Sequence, residues 1–316
     1  MEVVASRLRA AGYLDRTLAA RDAADAEIER VHAPRYLELA KREIGALQRP
    51  RYLSTGDVLV DPGSLAVARR AAGGAIAAVE AAVSGEAVFA LVRPPGHHAE
   101  SARGMGFCLL NNAAIAARAY QAVFGGRVLI VDFDYHHGNG TEAVAGNGLS
   151  YVSTHASPAY PGTGRSSYAL GSDVVANVPL PASGISTEAF VAVWERLLPA
   201  VARAAKPDFL VVSAGFDYVA GDPVGDLGVG IEAASGLAAA IGRSAAEYCG
   251  GRVVYVLEGG YDIDALTGSI ASIAQESDAG SRLPSGAAGS AIPEPIRVTL
   301  DEIFREFPGT PQGGAN

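Results

Sequence analysis

The chain has 316 residues, 49% of them apolar and 19% charged, enough for a sizeable core and too apolar for extended disorder. Two cysteines exclude a disulfide scaffold and a thiolate zinc cluster. The net charge of −9 argues against nucleic acid as the main partner, and no apolar run is long enough to span a bilayer.

Residues Met1–Asp15 carry apolar groups at helical spacing (Val4, Leu8, Ala11, Leu14). Glu2 and Asp15 interrupt them, so no secretory signal is expected and a cytoplasmic location follows. The following elements are predicted in chain order. A helical pattern covers Ser64–Val83, followed by a short apolar run at Ala87–Val92. A helix is expected over Asn112–Phe124, then runs at Val128–Phe133 and Leu149–Ser153. Helix Thr187–Ala205 precedes the run Phe209–Ser213. Helix Ile231–Cys249 precedes Val253–Leu257, and a last pattern covers Ile263–Ala274. Short continuous apolar runs with β-branched residues suit strands buried on both faces, so the alternation predicts an α/β fold around a parallel sheet. No linker or repeat divides it, and residues 1–316 read as one domain. The tail 277–316 reads as irregular, with a short helix near Leu300–Phe307 and mobile residues at Pro308–Asn316.

In such sheets ligands sit beyond the carboxyl ends of strands. The residues after four of the runs are polar, titratable or glycine: Arg93-Pro94-Pro95-Gly96-His97-His98, Asp132 to Thr141, Ser213 to Asp217 with Gly221-Asp222-Pro223, and Glu258-Gly259-Gly260-Tyr261. One active site at that edge is expected. Asp132, Asp134 and His136 are spaced two apart, so an extended strand end turns them to one side. Carboxylates with imidazole form a cation site suited to Zn, Fe, Co or Mn. Spacing leaves the third ligand open among Asp217, Asp222 and Asp226. The tandem His97–His98 beside that site suits proton handling. Tyr261 after two glycines can donate to a developing oxyanion. Only six histidines exist, four of them in the pairs His97–His98 and His136–His137. Cys108 and Cys249 read as packed thiols.

These segments, with Gly106-Phe107-Cys108-Leu109-Leu110-Asn111-Asn112 and Tyr160-Pro161-Gly162-Thr163-Gly164, resemble the metal-dependent deacetylase family. That family includes histone deacetylases, bacterial deacetylase-like amidohydrolases and acetylpolyamine amidohydrolases. The resemblance runs from about Val31 to about Ile270. It implies the arginase/deacetylase-like fold, a central mostly parallel sheet flanked by helices on both faces. It implies a catalytic zinc on Asp134, His136 and Asp222, with Fe2+ or Co2+ as alternatives. It also implies a structural potassium touching Asp132, Asp134, His136 and Ser153. His98 is the implied general base, supported by His97; Asp132 pairs with His97, and Asn139 stands by His98. Tyr261 binds the carbonyl oxygen, and Gly106, Phe107 and Tyr160 line an acyl-lysine channel. Asp57 or Asp61 is expected to hold the substrate backbone. Val229 marks a position where polyamine-selective relatives carry a carboxylate. Family members place a strand ahead of their first helix, and this chain opens near that helix, at Arg7–Leu14, so that strand is expected to be absent.

The implied reaction is hydrolysis of acetyl-lysine or a related small N-acyl amine by metal-activated water. The partners are a small-molecule or peptide substrate and, optionally, further copies of the chain as a homo-oligomer; neither nucleic acid nor membrane is expected. The alternatives are an acetylpolyamine amidohydrolase, a catalytically weak binding protein of the same family, and a binuclear ureohydrolase, which would leave Tyr261 without a role.

Overall fold

A computed structural model of the chain describes residues 1–278 and 292–307. Its elements are α1 (Glu2–Ala10), α2 (Asp25–Ile28), α3 (Pro34–Gly45), β1 (Arg51–Tyr52), β2 (Leu59–Val60), α4 (Ser64–Ala82), β3 (Val88–Ala90), α5 (Asn112–Phe124), β4 (Val128–Asp132) and α6 (Asn139–Glu142). They continue with β5 (Leu149–Ser157), β6 (Tyr168–Leu170), β7 (Asp173–Pro181), α7 (Thr187–Ala205), β8 (Phe209–Ala214), α8 (Ala233–Cys249), β9 (Val253–Leu257), α9 (Ile263–Asp278) and α10 (Glu294–Glu306). The apolar runs become a seven-stranded sheet ordered β3-β9-β8-β4-β5-β7-β6. All its pairings are parallel except β6 with β7.

Alternation along β4 shows why these runs carry no polar face. Val128 and Ile130 enter one apolar cluster, with Leu37 of α3, Ile76 and Val79 of α4 and Ile115 of α5. Leu129 and Val131 enter the other, with Trp194 and Leu197 of α7, Leu237 of α8, Ile270 of α9 and Ile303 of α10. Successive strand residues face opposite sides, so a sheet covered on both faces needs apolar residues at every position. Trp194 is 1% exposed, and truncating it to Ala is expected to cost about 3–5 kcal/mol. Side chains also set the helix starts: Asn111 accepts from the Ala114 amide ahead of α5, and Ser186 from the Ala189 amide ahead of α7.

The predicted α/β architecture holds, with differences at the margins. β6 and β7 were not anticipated. Asp173, Asn177, Pro179 and Pro181 interrupt the apolar pattern of β7, and the prolines are tolerated because β7 has only short β6 on its far side. α9 runs to Asp278 and α10 starts at Glu294, so helix replaces part of the expected irregular tail. The remainder of that expectation, including Pro308–Asn316, lies outside the described residues. Because β3, β9, β8 and β4 are mutually parallel neighbours, their carboxyl ends lie on one edge of the sheet. The loops that follow them converge there.

Candidate active site

A cleft of about 340 Å³ opens at that edge. Its floor is formed by His97, His98, Asp134, His136, Asp217 and Gly259; its walls by Phe107, Tyr160 and Tyr261, with Asp57, Gly106, Pro95 and Val224 around them.

On the floor, one ligand atom each of Asp134, His136 and Asp217 lies within 4.8 Å of the others. His136 Nδ1 is 2.9 Å from Asp217 Oδ2 and 3.2 Å from Asp134 Oδ1. Backbone amides fix the carboxylates: Tyr135 donates to Asp217 Oδ1 at 3.0 Å, and Gly259 to Asp134 Oδ2 at 2.8 Å. Asp217 Oδ2 is buried and, beyond that contact with His136, has no hydrogen-bond donor. Burial, then the nearby Asp134 charge, pushes the Asp217 carboxyl up to about 6. Burial opposes the Asp134 charge, yet His97 and His136 hold it well below the usual carboxylate range. Burial likewise opposes the His136 imidazolium, but hydrogen bonds to Asp134 and Asp217 push it up to about 10. Two buried carboxylates and an imidazole drawn toward a proton form an environment that seeks positive charge. The oxygen–nitrogen donor set fits a divalent transition ion. The site has room for it because position 215 is glycine: a Cβ on Gly215 would sit 1.9 Å from Asp134 Oδ2.

Asp222, expected as the third ligand, is not in this cluster. Its Oδ2 accepts the amides of Tyr261 (2.7 Å) and Asp262 (3.0 Å), and its Oδ1 those of Val224 (2.9 Å) and Gly225 (3.3 Å). Four backbone donors engage both its oxygens and tie its loop to the segment that carries Tyr261. Asp226 caps the same loop through the Gly221 and Gly228 amides. A sequence cue favours Asp217: it follows the end of β8 by three residues, as Asp134 follows the end of β4 by two, whereas Asp222 lies beyond a further turn.

The tandem histidines are buried and differ in charge. Asn139 donates through Nδ2 to Glu100 at 2.7 Å, so its Oδ1, 2.9 Å from His98 Nδ1, is the acceptor. His98 therefore carries its proton on Nδ1 and leaves Nε2 as a free base. Burial and the neighbouring His97 keep His98 well below the usual imidazole value, hence neutral. His97 Nδ1 lies 3.1 Å from Asp132 Oδ2, and despite burial Asp134 and Asp132 push its imidazole up to about 10. Asp132 also accepts from the Tyr151 hydroxyl at 3.0 Å. Ser153 stands opposite Asp132 in the β4–β5 register, fully buried, 3.0 Å from His155 Nδ1.

Tyr261 meets Phe107 edge-on, with centroids 6.0 Å apart. Burial and the Asp134 charge raise its hydroxyl well above the usual value, so it stays a proton donor. Tyr160 stands edge-on to His98 at 5.1 Å. Phe107 takes a positive φ of 67°, a backbone cost that keeps its ring on the cleft wall. Asp57 joins the wall: its two oxygens accept from the Gly106 amide and the Tyr160 hydroxyl, both at 3.0 Å. Asp61 is turned away, capping the start of α4 through Gly63 and Ser64. Val229 does not reach the mouth either. It is fully buried and its carbonyl accepts the Ala220 amide; Val224 lines the cleft instead. Sequence reasoning passed over Val224, whose place is set by the Asp222 turn. Cys108 and Cys249 are free and buried, with no place among the candidate ligands.

The family model described as the histone deacetylase domain matches residues 1–277. The chain belongs to the histone deacetylase family. It is 43% identical over 189 residues to "Histone deacetylase 14, chloroplastic" of Arabidopsis thaliana, which covers 58% of this chain and 44% of that protein. It is 37% identical over 250 residues to a "Histone deacetylase-like amidohydrolase" of Pseudomonas aeruginosa, covering 76% and 64%. A "Probable deacetylase" of Archaeoglobus fulgidus is 36% identical over 240 residues, covering 73% and 64%. The matches thus span less than two thirds of these relatives' own lengths. Among solved structures, the HDA15 HD domain matches with a TM-score of 0.83 at 31% identity, over 96% of this chain and 85% of that one. This likeness extends the family fold across the described sheet and its helices, and the family is one of metal-dependent deacetylases. Among the described residues no helix is long and apolar enough to cross a membrane.

Proposed function

We propose that the chain is a zinc-dependent deacetylase that hydrolyses acetyl-lysine or a related small N-acyl amine. One observation carries the reading: a free His98 Nε2, a protonated Tyr261 hydroxyl and the Asp134–His136–Asp217 cluster share one cleft. Asp134, His136 and Asp217 would hold the ion. When bound, it supplies Lewis acidity to the amide carbonyl and the hydrolytic water. His98 Nε2 takes a proton from the attacking water and returns it to the leaving amine. The Tyr261 hydroxyl donates to the carbonyl oxygen as negative charge builds there. The His97 imidazolium, paired with Asp132, adds positive charge beside the reacting atoms, and Asn139 holds the His98 tautomer. Phe107 and Tyr160 exclude water from an aliphatic acyl-amine arm. Gly106 keeps the wall narrow against His98, because a Cβ there would lie 2.3 Å from the ring.

The reading includes a structural potassium on Asp132, Asp134, His136 and Ser153, supported by the burial of Ser153 beside Asp132. It includes a cytoplasmic location, which the two free buried thiols favour. At the mouth Asp57 is the carboxylate available to a substrate backbone amide, and Val224 keeps the opposite rim apolar, which suits an acyl-lysine peptide over a polycation. The test is turnover of a fluorogenic acetyl-lysine amide and of acetylated diamines, with and without chelator. Chelator-sensitive turnover of the lysine amide is expected, at higher kcat/KM than the diamines. No metal-dependent turnover of any acyl amide would remove the reading.

A further inference from the structure

Two charged residues behind the cleft wall, Arg93 and Glu258, do no chemistry in that reaction, and each reaches across to the loop the other begins. β3 and β9 are parallel neighbours, with Val88 opposite Val254 and Ala90 opposite Val256. The loop after β3 starts near Arg93 and carries His97 and His98. The loop after β9 starts with Glu258 and carries Tyr261. Arg93 Nη2 donates to the Gly260 carbonyl at 2.6 Å, and its guanidinium carbon lies 5.0 Å from the centre of the Tyr261 ring. In the other direction, Glu258 Oε2 accepts the amides of Gly96 (2.6 Å) and His97 (3.1 Å). Its Oε1 accepts the Ser213 hydroxyl at 3.1 Å. Glu258 is fully buried. A carboxyl in such a place needs its donors, and here two of the three are the main chain of the loop that bears the general base.

We propose that Arg93 and Glu258 are positioning residues, a reciprocal clasp that holds the His98 loop and the Tyr261 loop in one register. The inference rests on the functional reading above. Proton transfer at His98 and hydrogen bonding from Tyr261 act on the same amide, so their mutual placement must be kept to a fraction of an ångström. Parallel pairing of β3 with β9 ends at Ala90 and Val256 and cannot fix the loops beyond. The clasp continues the register past the strands. Arg93 does this with geometry that lysine lacks, since a planar guanidinium can donate to a carbonyl and lie over a ring at once.

The test uses the full metal-loaded chain and the acetyl-lysine amide, with kcat, KM, metal content and Tm measured together. Arg93→Met and Glu258→Gln are each expected to lower kcat about 10- to 100-fold while KM stays within about threefold and metal is retained. Arg93→Lys keeps a donor and should fall between wild type and Arg93→Met, which also serves as the readout if Arg93→Met folds poorly. In a Tyr261→Phe background, the hydroxyl that Arg93 positions is gone, so Arg93→Met should change kcat by less than about twofold. A purely structural role predicts the same loss in both backgrounds. The clasp is overturned if either single variant keeps kcat within about twofold of wild type, or if the Arg93→Met loss persists undiminished in Tyr261→Phe. A wild-type chain without metal-dependent turnover overturns the functional reading itself, and the clasp with it.

Discussion

The segment from Asp134 to Glu142 feeds two polar clusters, and they differ in what they face. On one side, Asp134 and His136 meet Asp217 on the floor of the cleft. On the other, His137 Nδ1 is 2.8 Å from the Thr163 hydroxyl and its Nε2 is 2.8 Å from Glu142 Oε2. Glu142 also accepts from Tyr168 and Asn177, and His155 lies between Ser153 and the Gly164 carbonyl. Both clusters combine imidazole with carboxylate. Each leaves one buried atom in an ion-pair contact that falls short of a hydrogen bond, Asp217 Oδ2 in the first and His137 Nε2 in the second; the second is enclosed by its own members and the strands β5 to β7, whereas the first opens to the cleft. Residue type alone therefore does not make a site; access from a cleft does.

The largest test of that contrast is metal retention. Asp217→Asn is expected to lose the bound ion and at least about 1,000-fold in kcat/KM. Asp222→Asn should keep the ion by elemental analysis, because its carboxylate serves amides. The opposite pair of outcomes would break the comparison. Next, Tyr261→Phe should keep metal and lose about 100- to 1,000-fold in kcat, which places its role in the transition state; a wild-type rate would remove it from the mechanism.

Smaller effects sharpen the closed type of cluster. His32 lies away from the cleft, donates through Nδ1 to the Glu100 carbonyl and accepts the Asn111 amide at Nε2. Burial drops it from the ordinary 6.5 to about 4. Above pH 6.5 it is neutral in both folded and unfolded chains. As pH falls below that, the unfolded chain takes up a proton that the folded chain refuses, and stability declines until about pH 4. The loss is about 3 kcal/mol at most. Denaturant titrations across that range should show the decline in wild type and a flatter profile in His32→Gln. Glu142→Gln should cost about 1–3 kcal/mol of stability while kcat changes less than about threefold. A large loss of turnover there would mean the second cluster is coupled to the chemistry.

Much of this was legible in order along the chain. Runs such as Val253–Leu257 are apolar at every position because both sheet faces are covered, and their polar successors mark the functional edge. β7 was hidden because Asp173, Asn177, Pro179 and Pro181 disturb its pattern, at a place where β5 on one side and short β6 on the other tolerate them. The clustered carboxylate is Asp217 in place of the expected Asp222 for a related reason. A one-dimensional spacing counts carboxylates after a strand but cannot say which of them backbone amides will claim.

The sequence by itself determined the α/β alternation, the tandem histidines and the Asp134–His136 pair, because periodicity and local spacing act over a few residues, and its motifs carried the resemblance to the family. Only the tertiary structure decided that Asp217 completes the cluster, that Asp57 rather than Asp61 faces the cleft, and that Arg93 and Glu258 bind each other's loops. Those choices depend on which groups from distant segments satisfy one another once water is excluded, and hydrogen-bond satisfaction in a buried edge is a property of the assembled sheet.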